Sequence, residues 1–298
     1  MTTVTRTNIT TRLRTWVLIA GLTALLVGIG AMIGGGSLYV FIAIAVVMNV
    51  VGYWFSDKIA IKASRAKPVP EGELQEVRAM VRELAGLAEV PEPRLYLIPS
   101  EQPNAFATGR NPRHAAVAVT TGLLRYMPKG QVRGVLAHEF AHIKNRDILV
   151  ASIAAMISAA IAWIAYMLQF SLLFGDDNDN PLGLVGMMAT MMITPIAAMM
   201  LQMAVSRQRE YLADAAAARM LGEGRSLSSA LLTLKQGTEA IPMDVNPATA
   251  SLYIANPTAA LRGRGYTSLF STHPPIDERI RRLDELDQSI TGMRRVRF

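Results

Sequence analysis

Four long apolar runs dominate the hydrophobic pattern of the chain. Two runs of 19 residues, 15–33 and 37–55, follow one another near the N-terminus, and runs of 27 and 24 residues follow at 148–174 and 182–205. At a rise of about 1.5 Å per residue, each run is long enough to cross a hydrocarbon core of roughly 30 Å. The pattern therefore predicts four transmembrane helices in two hairpins. For the second pair, the alternative is two buried helices of a soluble protein.

The distribution of charge predicts how these spans are oriented. Basic residues cluster before the first span and after the second, whereas the turn between the third and fourth spans is acidic and has no base. Because basic loops stay on the cytoplasmic side, both termini and residues 56–147 are predicted to be cytoplasmic. The first span is too long for the apolar part of a signal peptide and lacks an obvious cleavage site, so we interpret it as an anchor.

These spans divide the chain into five predicted parts. They are a cytoplasmic N-terminus (1–14), a first transmembrane hairpin (15–55), a first cytoplasmic part (56–147), a second hairpin (148–205) and a second cytoplasmic part (206–298).

The cytoplasmic parts carry both helical and strand patterns. Apolar residues at three- and four-residue steps predict helices, and short apolar runs bounded by turn residues predict strands. Together with the spans, they indicate a membrane α+β fold: four transmembrane helices and a cytoplasmic domain with a small β-sheet. The predicted segments are helices at 74–88, 129–147, 206–220 and 226–236 and from residue 276, strands at 94–99, 104–108 and 114–120, and a mobile loop at 241–265.

Composition excludes several classes of protein. Apolar residues make up 51% of the chain and charged residues 18%, against about 25% charged residues in soluble domains. Disordered and ordinary soluble globular proteins are therefore excluded. Because the chain has no cysteine, it has no disulfide, no thiol nucleophile and no cysteine-ligated metal. Much of the net charge of +7 comes from residues that orient the spans, so no nucleic-acid partner is expected.

One short motif carries candidate chemistry. His138, Glu139 and His142 form an H-E-x-x-H sequence within a predicted helix. The four-residue spacing places both imidazoles on one face, where they can share a zinc ion, and Glu139 is suited to take a proton from an attacking water. The alternative is a helix with two packed or solvated histidines, but chance produces the motif in roughly one chain in several hundred. The motif therefore predicts a zinc site with a general base.

A catalytic zinc ion needs a third protein ligand. With no cysteine, the candidates are a histidine or a carboxylate. Glu210 and Asp214 lie one helical turn apart just after the fourth span, and both ligand helices are attached to neighbouring spans at the same membrane surface. Glu210 is therefore predicted to meet the histidines, and Asp214 to hydrogen-bond the outer nitrogen of one of them. The alternative is a solvated, charged start of a helix.

In content and order, these landmarks resemble the HtpX-type membrane zinc metalloproteases, bacterial relatives of the CAAX prenyl proteases. The resemblance covers most of the chain, and its motifs together are far more specific than H-E-x-x-H alone. The shared features are the two hairpins, the H-E-x-x-H segment, P-N-A-F-A-T-G from Pro103, S-R-Q-R-E-Y-L-A-D from Ser206, N-P-A-T-A from Asn246 and T-H-P-P from Thr272.

The resemblance implies a zincin-like (gluzincin) catalytic domain with one zinc ion per chain. The metal ligands fall on His138, His142 and Glu210, and the general base falls on Glu139. None of these positions departs from the family's pattern, so the resemblance implies an active enzyme.

Other residues receive weaker expectations from the resemblance. Arg207 and His273 are candidates for stabilising the tetrahedral oxyanion, and a structural role is the alternative for each. An extended substrate is expected to pair with an edge strand over the zinc; the alternative is an ordinary edge strand. The residues expected in this strand are Asn104, Ala105, Phe106, Ala107 and Thr108.

The function implied by the resemblance is zinc-dependent endopeptidase activity in protein quality control under stress. Its expected location is the bacterial inner (cell) membrane, with the active site in the cytoplasm, and its expected partners are the lipid bilayer and membrane-protein substrates bound as extended peptides.

Three alternatives stay open. A site-2-type intramembrane protease also carries H-E-x-x-H, but charged residues such as Lys144 and Arg146 flank the motif here. Prenyl-protein processing shares the chemistry, although the chain lacks the extra spans of the eukaryotic relatives. A non-catalytic scaffold with a structural zinc is the alternative of another class, and it has no need for the base Glu139.

Overall fold

The computed structural model describes residues 36–154, 207–261 and 274–295, together with most of residues 16–31. Of the predicted third and fourth spans, only residues 148–154 are among these, and they are helical. In the part of the chain that the structure describes, one helix, Leu38–Ala63, is long and apolar enough to cross a membrane. The described residues thus contain one candidate span, whereas four spans were predicted for the whole chain.

Helix α1 (Ser37–Ala63) belongs to the predicted first hairpin. It exposes apolar side chains along most of its length, with Tyr39 near one end and Trp54 towards the other. Amphipathic aromatic rings favour the headgroup layers of a bilayer. The described residues before it are also helical, and the side chain of Asn49 in α1 donates a hydrogen bond of 2.8 Å to Thr23 Oγ1. The two N-terminal helices are thus in contact.

Four strands form one mixed sheet with the order β1-β2-β4-β3. Strand β4 pairs parallel with β2 and antiparallel with β3, which lies at one edge, and β1 pairs antiparallel with β2 at the other. All residues of β3 and β4 are buried, because helices cover one face of the sheet and α1 with residues 243–253 covers part of the other. The strands are β1 (Lys67–Pro68), β2 (Arg94–Ile98), β3 (Ala105–Gly109) and β4 (Ala115–Thr120).

Helix α4 is the centre of the helical layer. It packs against α2, α5, α6 and strand β3, and its buried residues cover nearly its whole circumference from Val132 to Ile143. Gly134 permits the close approach of α6, because a Cβ atom there would lie 2.8 Å from the backbone of Leu227. The helices are α2 (Gln75–Ala88), α3 (Thr121–Tyr126), α4 (Lys129–Asn145), α5 (Arg207–Leu221), α6 (Arg225–Ala240), α7 (Pro247–Ala250) and α8 (Ile276–Arg295).

The predicted helix at 129–147 is wrong at its C-terminal end and does not continue directly into the predicted third span at 148–174. Helix α4 ends at Asn145, and Arg146 adopts a left-handed conformation with φ of 61°. Its amide donates to the Ile143 carbonyl, and a new helical stretch begins at Asp147. A left-handed residue is a common way to end a helix. The sequence did not predict this helix end, because the left-handed position holds arginine and not glycine, the residue that usually occupies it.

The expectation of a mobile loop at 241–265 is also wrong for residues 241–261, which the structure describes. Tyr253, Ile254 and Ala255 are almost completely buried. The backbone amide of Ile254 donates to the Ala105 carbonyl at 3.0 Å, and Asn104 bonds both backbone groups of Ala255. Turn-forming residues therefore shape this segment, but long-range hydrogen bonds and burial fix it.

Candidate metal centre

Helix α4 presents His138 and His142 towards one another from successive turns. Their Nε2 atoms lie 3.1 Å apart, and the ring planes meet at 89°. The side chain of His138 is 1% exposed and that of His142 is 14% exposed. The pair therefore has one fully buried member and one member nearer the surface of the site.

Helix α5 brings Glu210 to this pair. One carboxylate oxygen lies 3.5 Å from Nε2 of His138 and the other 3.4 Å from Nε2 of His142. The helices approach closely because buried alanines, including Ala213 and Ala217, form the inner face of α5. One ligand atom from each of these three residues lies within 4.8 Å of the others. The structure thus brings together the three side chains that sequence reasoning selected as ligands.

The donor set fits a zinc ion. Two imidazole nitrogens and a carboxylate oxygen are typical ligands of a catalytic zinc. In a tetrahedral shell with bonds of 2.0–2.2 Å, neighbouring ligand atoms are separated by roughly 3.3–3.6 Å. The Nε2 atoms of His138 and His142 lie 3.1 Å apart, and they lie 3.5 and 3.4 Å, respectively, from different oxygens of Glu210. The three side chains therefore converge at distances similar to those of such a shell.

Asp214 and Arg279 support the buried histidine. Asp214 Oδ1 lies 2.9 Å from Nδ1 of His138, and because a carboxylate only accepts hydrogen bonds, Nδ1 carries the proton and Nε2 is left to bind a metal. The guanidinium of Arg279 donates to both oxygens of Asp214, at 2.9 and 2.7 Å. Burial alone would raise the pKa of Asp214, but the charge of Arg279 and the bond from His138 hold that pKa below its ordinary value.

Asp147 and Arg209 support the second histidine in a similar way. Nδ1 of His142 lies 3.2 Å from Asp147 Oδ2, and Arg209 Nη1 lies 3.4 Å from Asp147 Oδ1. Burial lowers the pKa of His142, but hydrogen bonds to Asp147 and Glu210 outweigh it and raise the pKa to about 10. A metal ion that binds this ring must therefore displace a proton.

Charge balance also favours a cation. The charged side chains of this centre comprise four carboxylates and two guanidinium groups, which leaves an excess of two negative charges when both histidines are neutral. A divalent ion compensates that excess. The residues are Glu139, Asp147, Glu210 and Asp214, with Arg209 and Arg279.

Glu139 lies at the meeting point of the histidine pair and the sheet. It is 3% exposed, and its carboxylate accepts a hydrogen bond from the backbone amide of Ala107 in β3. Burial raises the pKa of Glu139, and the nearby histidines offset this only in part. A buried carboxylate with a raised pKa is suited to accept and return a proton near neutral pH.

The edge strand β3 runs beside this centre. The Asn104 carbonyl accepts from the amide of Thr120 in the continuation of the β3-β4 ladder, so by alternation the backbone groups of Ala105, Ala107 and Gly109 point away from β4. Residues 251–255, which we name the flanking segment, occupy the Ala105 end of this edge. The side chain of Asn104 is engaged by Ala255 in the same segment.

The remaining predicted positions differ in placement. Phe106 and Thr108 are buried within β3. Arg207 is exposed at the first position of α5, whereas Arg209 lines the pocket that holds the histidines and Glu139. His273 lies outside the described residues.

Sequence reasoning missed Arg279 as a member of this centre. A signal was present: Arg279 lies three residues after Ile276 and four before Leu283, on the apolar face of α8. A charged residue within an apolar stripe points to a buried partner. Asp147 was not selected from the sequence as a member of this centre, and its contact with His142 depends on the break at Arg146.

Comparisons with known proteins identify the family of the chain. The family model described as peptidase family M48 matches residues 71–287. A protease HtpX homolog from Syntrophobacter fumaroxidans is 50% identical over 280 residues, covering 91% of this chain and 98% of the relative. Homologs from Pelotomaculum thermopropionicum and Thermococcus kodakarensis are 48% and 44% identical, covering 92% and 93% of this chain and 98% and 97% of the relatives.

A solved structure shares the fold. The crystal structure of S. mikatae Ste24p is similar with a TM-score of 0.51 and 20% identity, covering 94% of this chain and 67% of that chain. At this identity the likeness concerns the fold alone. On the sequence matches, the chain belongs to peptidase family M48, and within it to the HtpX-type membrane metalloproteases, so it is a hydrolase of peptide bonds.

Proposed function

We propose that the chain is a zinc-dependent endopeptidase that cleaves misfolded or damaged membrane proteins at the cytoplasmic face of the bacterial cell membrane. The observation that carries this proposal is the position of Glu139. It is buried beside two imidazoles that meet Glu210, and it contacts the backbone of an edge strand. A base, a metal-ligand set and a surface for binding peptide thus adjoin one another.

In this proposal, His138, His142 and Glu210 hold one zinc ion per chain, and Asp214 and Asp147 orient the two imidazoles. A zinc ion held there supplies a Lewis acid that polarises the scissile carbonyl and lowers the pKa of water. The separations between the ligand atoms and the protonated Nδ1 positions support this assignment.

Glu139 acts as the general base and then as the general acid. Its carboxylate takes a proton from the attacking water and returns it to the amine that leaves when the peptide bond breaks. Burial raises the pKa of Glu139. The carboxylate is therefore a stronger base than an exposed one when it takes the proton from water. To return that proton to the leaving amine, Glu139 must pass through its protonated form, which the raised pKa favours.

The substrate binds as an extended strand along β3 in this proposal. Among the residues expected from the sequence, Ala107 supports this best, because its carbonyl faces outwards from the sheet while its amide donates to Glu139. Ala105 and Asn104 bond the flanking segment instead. Pairing with substrate is therefore expected towards Ala107 and Gly109, while Phe106 and Thr108 maintain the strand.

For the oxyanion, three basic residues are candidates. Arg207 and His273 are suggested by the resemblance, and Arg209 is supported by its place in the lining of the pocket. Loss of a stabilising donor lowers turnover by roughly 10²–10³-fold. Comparison of Arg207→Gln and Arg209→Gln turnover at saturating substrate distinguishes the two arginines.

The contacts of the Gly109 end of β3 support action close to a bilayer. The guanidinium of Arg110 lies 4.9 Å from the ring of Trp54 in α1, and Thr108 Oγ1 lies 2.8 Å from Ser152 Oγ in the helix that begins the predicted third span. A cleft that begins beside membrane-entering helices is suited to polypeptide emerging from the membrane.

The proposal is tested with Glu139→Gln in the full chain in detergent. The amide preserves the size of the side chain but cannot take a proton, so we expect zinc to be retained and turnover of casein or a model membrane protein to fall by roughly 10²–10⁴-fold. Glu83→Gln is the matched control, because Glu83 is an exposed carboxylate paired with Arg133. Activity of Glu139→Gln near the wild-type rate, or wild-type activity that resists a chelator, would contradict the proposal.

A further inference from the structure

Arg279 is the largest completely buried side chain among the described residues. A guanidinium group is strongly disfavoured in a protein interior unless charged and hydrogen-bonding partners compensate it. Its partners therefore indicate why it is there, and they lie on helices α4 and α5 and in the flanking segment.

The first partner is Asp214 on α5. The guanidinium donates through Nε and Nη2 to the two carboxylate oxygens, in the two-pronged geometry that fixes a carboxylate in both position and orientation. One of these oxygens also lies 2.9 Å from Nδ1 of His138. Nη2 also lies 3.4 Å from both ring nitrogens of His138, and Nη1 lies 3.5 Å from Glu210 Oε2. Arg279 thus orients the carboxylate that holds a proposed metal ligand, and it also adjoins two of the proposed ligands directly.

The second partner belongs to the flanking segment. Arg279 Nη1 donates to the carbonyl of Ile254 at 3.1 Å, and the amide of the same residue donates to the Ala105 carbonyl of β3. Ile254, which covers the Ala105 end of the edge strand proposed to bind substrate, is therefore hydrogen-bonded to the sheet through its amide and to Arg279 through its carbonyl.

We propose that Arg279 is a positioning residue that couples the two halves of the active site. Through Asp214 it orients His138 towards the metal, and through Ile254 it holds the flanking segment in register with the edge strand that binds substrate. The first half of this inference, the orientation of His138, concerns metal affinity and can be tested independently of proteolysis. The second half, the placement of the flanking segment, rests on the proposed function.

The first test is zinc affinity, measured by competition with a chelator on the full chain in detergent. We expect Arg279→Gln to weaken zinc binding by roughly 10- to 100-fold, the range for residues that support a ligand. Arg279→Lys, which keeps the charge but not the two-pronged contact, should lose less. The matched control is Arg281→Gln, because Arg281 lies on the same helix, is 56% exposed and pairs with Glu278. Its affinity should equal that of the wild type.

A double-mutant cycle separates positioning from general damage. If Arg279 acts through Asp214, Asp214→Asn combined with Arg279→Gln should bind zinc no more weakly than the weaker single variant. The double variant also removes the buried pair of charges together, so it is the one to use if Arg279→Gln alone does not fold.

Affinity losses that add fully, or a folded Arg279→Gln that binds zinc like the wild type, would overturn the first half. If both neutral variants fail to fold, Arg279→Lys decides: an affinity equal to that of the wild type would overturn it.

The second test is the split between KM and kcat at saturating zinc. Because the flanking segment loses an anchor, Arg279→Gln should raise KM for an extended peptide about tenfold, an effect that a loss of zinc alone would not produce once zinc is restored. An unchanged KM with a reduced kcat would overturn the second half. Absence of proteolysis in the wild type would instead contradict the proposed function and leave the zinc measurements intact.

Discussion

The two histidines of α4 are supported by the same chemistry in two different settings. His138 is held by Asp214, whose carboxylate is bound by both prongs of Arg279, and every side chain of this inner trio is at least 95% buried. His142 is held by Asp147, which Arg209 contacts at a single distance of 3.4 Å. The inner trio has shorter contacts and is almost completely buried, whereas the contacts of the outer trio are longer and its side chains are more exposed.

The difference shows how one metal site can combine a rigidly held ligand with a ligand that is accessible from the pocket. A ligand whose partner is fully buried and doubly bound loses little freedom when a metal binds, so the inner histidine is preorganised. A ligand on a looser support remains reachable from the pocket, which Ile148 and Ala151 of the predicted third span also line. We expect the inner trio to determine affinity more than the outer trio.

The largest effects should come from removing a ligand. His138→Ala and His142→Ala each leave too few donors for tight binding, and Glu210→Gln replaces the anionic ligand with a weak neutral one, so all three should lose zinc almost completely. Metal analysis of purified proteins measures this, with His114→Ala as the control because that histidine is exposed and bonds only Asn111 among the described residues. Full zinc content in either histidine variant would contradict the ligand assignment.

Intermediate effects should distinguish the two supporting carboxylates. We expect Asp214→Asn to weaken zinc binding by roughly 10- to 100-fold and Asp147→Asn to weaken it less, because the second carboxylate is bound less tightly by its arginine. Chelator competition gives both affinities, and Asp277→Asn serves as a control at a carboxylate that is 73% exposed. A larger loss in Asp147→Asn would reverse the comparison. If Glu210→Gln holds zinc normally while Asp214→Asn loses it, ligand and support must be exchanged.

The smallest effect for a single step is a dependence of zinc affinity on pH, about tenfold for one pH unit and one displaced proton. Because hydrogen bonds to carboxylates raise the pKa of His142 to about 10, the metal-free ring carries a proton throughout the neutral range, and zinc must displace it. Affinity should therefore fall on acidification, about tenfold for each pH unit and each displaced proton. Calorimetric titrations of the chain with zinc at pH values from 8.5 to 6.5, repeated in buffers of different ionisation enthalpy, measure how many protons are released when zinc binds. An affinity independent of pH would mean that no proton is displaced.

Local patterns predicted much of the fold. Strands were expected within one residue of β2, β3 and β4, because short apolar runs between turn residues leave few alternatives. The helix that carries the H-E-x-x-H motif was expected from its local pattern as well. Glu210 was selected by its depth from the membrane, and the structure brings it to both histidines. The number of membrane spans remains a prediction for the residues that the structure does not describe.

Long-range contacts could not be predicted in the same way. Proline and asparagine in residues 241–261 indicate turns, but they do not reveal that Asn104 and Ala105 hold the segment against β3. Arg279 was overlooked because neighbouring charges, such as Arg281 and Arg282, give α8 the pattern of a solvated helix. Its role depends on partners 65 and 25 residues away in the chain.

The left-handed residue at Arg146 has a mechanical consequence for the site. His142 belongs to α4, whereas Asp147 is the first residue of the helical stretch that leads into the predicted third span. Ligand and support thus lie on opposite sides of this helix break. A bilayer that tilts the second element shifts Asp147 relative to His142, whereas His138 lies one turn further from the break within α4, and Asp214 and Arg279 lie on α5 and α8. The outer histidine is therefore where strain in the surrounding lipid is expected to reach the metal centre, and zinc affinity compared between thin and thick bilayers would register it.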